Sequence, residues 1–169
     1  MNRCIAFAAL ACLALLGPTS ARSAELLPYQ AQGWRYQQVT SGDPLEGTFM
    51  QPSFDDYGWA TGQAAFGNAN IGCPVQTTDH TNWDINTVIL LRHTFVADPA
   101  SAVTIYFAID NDASLWINGV LVASVVHDGC PNLDDYTLSV PPGVVQLGAN
   151  LVAVRASDRG GVNFFDLRI

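Results

Sequence analysis

Lysine is absent from the 169 residues, and charge of either sign is sparse: seven arginines and fifteen acidic residues make up 13% of the chain and leave a formal charge of −8. An acidic chain without lysine offers no cationic surface to a phosphate backbone, which excludes nucleic acid as a partner. Past the first two dozen residues, no apolar run is long enough to cross a bilayer. No stretch combines apolar residues at three-and-four spacing with helix caps. The sequence also holds no G-x-S-x-G elbow, no phosphate-cradling glycine loop and no H-E-x-x-H. Its 49% hydrophobic content, with four Trp, eight Phe and five Tyr, is too rich in apolar and aromatic residues for a disordered chain.

The N-terminus reads as an export signal over residues 1–24. Met1-Asn2-Arg3 is a short positive start, Cys4 to Gly17 is an unbroken apolar run, and Pro18-Thr19-Ser20-Ala21 breaks it with small residues. Both Thr19-x-Ala21 and Ala21-x-Ser23 fit small-x-small cleavage, so the cut site stays open by a few residues. A lipid anchor on Cys12 would want leucine three residues upstream, where Ala9 stands. Removing the signal takes away Arg3 and Arg22 and leaves five arginines against all fifteen acids, a formal charge of −10. Cys4 and Cys12 leave with it. Cys73 and Cys130 remain, an even pair in a chain expected to be secreted or periplasmic, which predicts one disulfide.

Residues 25–169 read as β structure in one domain. Val103, Ile105, Phe107 and Ile109 alternate with polar or small neighbours, the period of a half-buried strand. Further strands are expected over 87–96, 151–156 and 163–169. Asn118-Gly119 between Leu115–Ile117 and Val120–Val122 predicts a type I′ hairpin, because both residues tolerate positive φ. Short strands separated by turns indicate an antiparallel β-sandwich. A hairpin centred on Asp158-Arg159-Gly160-Gly161 would set Arg155 opposite Asp166 as a structural ion pair.

The order of motifs adds a resemblance. Ser53-Phe54-Asp55-Asp56-Tyr57-Gly58-Trp59 is followed by Arg92-His93-Thr94-Phe95, then by Asp110-Asn111-Asp112 with Asn118-Gly119, and then by Gly148-Ala149-Asn150-Leu151-Val152-Ala153-Val154. This resembles the galactose-binding-like jelly-roll domains of secreted bacterial proteins and the sugar-binding domain of beta-galactosidase-type hydrolases. The resemblance spans about residues 33–169 and implies an all-β, antiparallel jelly-roll sandwich. Tyr57-Gly58 departs from the usual small polar pair before the Trp, and the two cysteines are additions. The motifs are turns, aromatics and hairpins, so the resemblance carries fold more than function.

Candidate ligand residues follow from alternation and loop placement. With Leu115 and Ile117 inward, Trp116 faces outward, where its ring could stack on a sugar or lie under a crossing loop. Trp59 and Trp34 read as packing. Trp83 sits in a polar loop with Asp79, His80 and Asn82, while His127 and Asp128 flank Cys130. A Cys73–Cys130 disulfide would draw these two loops together, with carboxylate and imidazole groups to accept from hydroxyls. For metals, Asp110-Asn111-Asp112 opens like a calcium loop but has Leu115 and Leu121 where glycine and glutamate belong. The resemblance allows a structural calcium without demanding one. The histidines lack zinc spacing. The resulting expectation is a secreted, non-catalytic module with carbohydrate as leading ligand. A structural or protein-interaction component of an extracellular assembly is the alternative, and a small glycoside or ester hydrolase stands further off.

Overall fold

Period-two alternation resolves into strands in the computed structural model, which describes residues 25–68, 72–98 and 102–169. The expected export signal, with Cys4 and Cys12, lies outside the described residues. In chain order the strands are β1 (Gln32–Val39), β2 (Ala60–Gln63), β3 (Phe66–Gly67), β4 (Thr81–Asn82), β5 (Val88–Ala97), β6 (Thr104–Asp110), β7 (Asp112–Ile117), β8 (Val120–Val126), β9 (Tyr136–Ser139), β10 (Gly148–Ser157) and β11 (Phe164–Arg168). They form a six-stranded sheet, ordered β2-β1-β5-β10-β7-β8, facing a five-stranded sheet, ordered β4-β3-β11-β6-β9. Pairing is antiparallel except between the two-residue strands β3 and β4, which run parallel. Helix is confined, among the described residues, to two short 3₁₀ turns at Pro44–Gly47 and Pro74–Thr78.

The core is the space between the sheets. Ile105, Phe107 and Ile109 of β6 and Phe165 and Leu167 of β11 point into it from one side, and Ile89, Leu91 and Phe95 of β5, Leu115 and Ile117 of β7, and Val152 and Val154 of β10 from the other. Each large apolar side chain buried this way contributes about 1.5–3 kcal/mol. Trp34, Phe66 and Trp83 complete the cluster and are fully buried. The β7–β8 hairpin turns at Asn118 and Gly119, at φ 51° and 83°, the left-handed pair that a type I′ turn requires.

A second apolar layer lies outside the six-stranded sheet. There the segment that carries the first 3₁₀ turn folds over β5 and β10, seating Phe49 and Met50 on Val88, Leu90 and Ala153, with Phe54, Trp59 and Trp116 packed at the margin. The turn itself is closed by a capping box. The Asp43 side chain accepts from Leu45 N, and Glu46 Oε1 accepts from the backbone of Gly42 and Asp43.

Cys73 and Cys130 are joined, with Cα atoms 5.3 Å apart and 57 residues of separation. The bond ties the second 3₁₀ turn to the loop after β8, and closing a loop of that length stabilises by about 4 kcal/mol on the chain-entropy argument.

The expected Arg155–Asp166 pair does not form. β10 and β11 belong to different sheets, so Asp158–Gly161 is a crossing between layers and no hairpin. Arg155 points to the outer face and pairs with Glu46, using the carboxylate oxygen that the capping box leaves free. Asp166 is buried beneath the N-terminal segment and accepts from Gln30 N at 3.0 Å and Leu167 N at 2.8 Å.

Candidate functional site

The residues singled out from sequence fall at three separate places. Trp116 does face away from the core, opposite Leu115 and Ile117, but the covering segment reaches it: the Phe49 ring meets it edge-on at 5.5 Å, leaving it half-buried. Trp83 offers no stacking face, because it is fully buried between the sheets. Its indole N–H donates to the Thr87 hydroxyl at 3.1 Å, and its carbonyl accepts from the Asn163 side chain at 2.9 Å. A polar loop sequence hid an inward-pointing aromatic.

His80 and Asn82 stay at the surface. His80 Nε2 lies 3.0 Å from the Gln30 side-chain oxygen, and the Asn82 amide donates to Asp84 at 2.6 Å. With Gly67 and Asp79 they line a shallow hollow of about 190 Å³. His127 and Asp128 have other partners. His127 Nδ1 is 3.1 Å from the Tyr136 hydroxyl, and Asp128 accepts from Arg159 at 2.7 Å. The disulfide brings the two loops into register, yet the contacts of His80 and Asn82 and those of His127 and Asp128 do not overlap.

Arg159 organises the second of these groups. Its guanidinium faces Asp112 at 3.2 Å and Asp128 at 2.7 Å, and its backbone N–H donates to the Asn111 side chain at 2.8 Å. Asp110 lies beside it, hydrogen-bonded to the Asn111 amide, and burial together with the charge of Asp158 pushes its carboxyl up to about 6. The oxygens of Asp110-Asn111-Asp112 thus turn toward an amide and a guanidinium. Among the described residues no three His, Cys, Asp or Glu side chains converge as a metal site.

A concave surface beside the family-like motifs lies away from all of these candidates. A trough crosses β1, β5 and β10 on the outer face of the six-stranded sheet, along the border of the covering segment. One end, of about 480 Å³, is walled by Arg35, Phe54, Asp56 and His93; the other, of about 390 Å³, by Asn118, Gln146 and Asn150; the two share Pro52, Arg92, Thr94 and Leu151. Both volumes are in the range of small-molecule sites. Leu151 and Pro52 supply apolar floor, and Thr94 stands exposed beside them.

Strand register explains how these side chains meet. Arg35 of β1 is the direct partner of Arg92 of β5, and Thr94 of Leu151 on β10, so all four project to one face. Arg92, only 5% exposed, fastens the covering segment to the sheet. It pairs with Asp56 at 2.6 Å and donates to the carbonyls of Phe49, of Gln51 at 3.1 Å and of Phe54 at 3.4 Å. At the far end, the Asn118 amide donates to Asn150 at 2.8 Å and to the Val144 carbonyl at 2.9 Å, while its oxygen accepts from Leu151 N at 2.9 Å. Arg92, Asn118 and the Asn150-Leu151 pair of the quoted motifs therefore each have a structural task in building this face. The sequence signal for Arg35 is its place between Trp34 and Tyr36, where alternation sets it outward.

No family model and no curated protein matches the chain by sequence. Solved structures do match by fold. A glycosyl hydrolase family 2 member from Bacteroides cellulosilyticus aligns with a TM-score of 0.53 at 20% identity, over 83% of this chain and 20% of its own. A beta-glycosidase from Bacteroides vulgatus gives 0.52 at 14% identity, over 85% and 20%. A beta-glucuronidase from an uncultured Clostridium sp. gives 0.54 at 11%, over 91% and 30%. The chain is a β-sandwich of the kind that occurs as one part of these larger glycosidases, and it spans about a fifth of the length of the first of them.

Proposed function

We propose that this chain is an exported, non-catalytic module of galactose-binding-like type that binds carbohydrate in the outer-face trough. The observation that carries the reading is the trough itself: a concavity with an apolar floor at Leu151 and Pro52 and polar groups from β1, β5 and β10 converging on it. Such a surface suits a pyranose, whose C–H faces want apolar contact and whose hydroxyls want fixed partners. The fold shared with parts of glycosidase chains supports the same ligand class by analogy. Export to the extracellular space or periplasm accords with the signal-like residues 1–24 and with the disulfide.

Catalysis is no part of the proposal. Glycoside hydrolysis ordinarily needs two carboxylates placed across the scissile bond, and the acid lining the trough, Asp56, is tied to Arg92. The test is binding to a panel of insoluble and soluble polysaccharides, with Thr94→Trp as the blocking variant. Thr94 is exposed, so the new ring fills the trough without entering the core. The expected result is retention of the native protein on at least one glycan, weakened roughly tenfold in the variant. Retention on none removes the reading.

A second reading has its own observation. β8 is the open edge of the six-stranded sheet and carries exposed Val120, Leu121 and Val126, which suits strand addition by a protein partner in an extracellular assembly. A mass that rises with concentration in solution would favour it.

A further inference from the structure

We infer that the arginine end of the trough is a subsite for a carboxylate-bearing sugar, anchored by Arg35; this rests on the carbohydrate reading above. Arg35 and Arg92 are direct cross-strand partners on β1 and β5, and both wall the same end of the trough. Like charges at facing positions destabilise a sheet, and these two are not compensated alike. Arg92 has Asp56 at 2.6 Å and several carbonyls around it. Arg35 has only neutral acceptors, the Trp59 carbonyl at 3.2 Å and the Thr61 hydroxyl at 2.9 Å, and both take their hydrogen from Nη1.

That arrangement fixes the guanidinium and spares one edge of it. Among the described residues no acceptor takes the Nε–H or the Nη2–H of Arg35 and no carboxylate pairs with it. Those two N–H groups form the parallel fork that a carboxylate accepts in bidentate fashion. Two guanidiniums against one carboxylate leave this end of the trough with an uncompensated positive charge, in a chain whose formal charge is −8. The remaining acids oppose a polyanion at long range, but charges beyond a Debye length of about 8 Å are screened at physiological salt, whereas a carboxylate in the trough would touch Arg35 directly. Beside the fork, the Thr94 hydroxyl and the apolar floor of Leu151 and Pro52 suit the hydroxyls and C–H face of the ring that bears the acid.

A matched set of glycans separates this inference from the reading beneath it. Affinity electrophoresis would compare polygalacturonate, neutral galactan and a sulfated galactan for the native protein, Arg35→Gln and Arg35→Lys, with thermal unfolding as the check on fold. The expected result is preference for polygalacturonate, lost by roughly tenfold or more in Arg35→Gln and partly kept in Arg35→Lys, with a clearly smaller loss on neutral galactan. Equal or better binding to neutral galactan, or indifference to Arg35→Gln, overturns the subsite and leaves the carbohydrate reading standing. Preference for the sulfated chain overturns the carboxylate assignment. Retention on no glycan at all brings down the reading and the subsite together.

Discussion

Asp166 shows how much one side chain can decide. It is buried on the outer face of β11 at 1% exposure, and loss of hydration pushes its carboxyl up to about 7, against the restraining effect of two backbone N–H donors. An acid whose pKa is higher folded than unfolded adds stability below its unfolded value of 3.8 and loses it as pH rises through the folded value. Asp110, raised to about 6, acts in the same direction. Stability is therefore expected to fall between about pH 4 and pH 8, with Asp166 alone responsible for up to roughly 4 kcal/mol. In Asp166→Asn the decline should be much shallower, since of the two raised acids only Asp110 remains. Urea unfolding of both proteins at pH 5 and pH 8 measures it, and equal slopes would refute the assignment. The burial of Asp166 could not be read from the chain. An acid at an alternating position is ordinarily solvent-facing, and only the N-terminal segment folding back, with Gln30 N against its carboxylate, closes water off. Trp83 failed for a related reason, as a lone aromatic among polar loop residues has no period to betray its direction. Trp116 and Arg35 sit in strands, so their outward direction was legible by alternation, and what remained hidden was the Phe49 ring lying against the Trp.

Among the elements, the strands with clean alternation, β6, β7, β10 and β11, were legible in sequence to within a few residues, as was the Asn118-Gly119 turn. Their partners were less so. The Arg155–Asp166 pairing assumed that neighbours in sequence are neighbours in a sheet, and in this sandwich β10 and β11 part into opposite layers. The covering segment was the least legible element, because Phe49, Met50, Phe54 and Trp59 follow neither the helix nor the strand period, yet they make a layer of their own. What holds it down is Arg92 with its four acceptors. In Arg92→Met the apolar stem survives while the ion pair and the carbonyl contacts go, leaving Asp56 without its partner. Breaking a buried pair costs about 3–5 kcal/mol, and Asp56, with its side chain 28% exposed, is partly rehydrated, so a loss near 3 kcal/mol is expected. Denaturant titration gives the value. Because the trough borders this segment, glycan binding in that variant should weaken along with stability, whereas Arg35→Gln should alter binding alone.

On the scale of the molecule, the two sheets are assembled from strands far apart in sequence. β10 is the shared partner of β5 and β7, and β11 lies between β3 and β6. Among the described strands only β7 and β8 pair across a tight turn. Such topologies fold slowly, since loop closure must precede the contacts that reward it. A chain truncated after Leu147 would lack the middle strand of both layers, and it is expected to show no cooperative thermal transition, a result calorimetry can check directly. The same connectivity has a bearing on timing. A polypeptide emerging N-terminus first can pair β1 with β5, or β7 with β8, but neither sheet becomes continuous until Gly148 and everything after it has been made. The sandwich is thus withheld until β10 and β11 have both been made. With β10 and β11 as the keystones, the strands made before them have partners waiting but no way to close into two facing sheets.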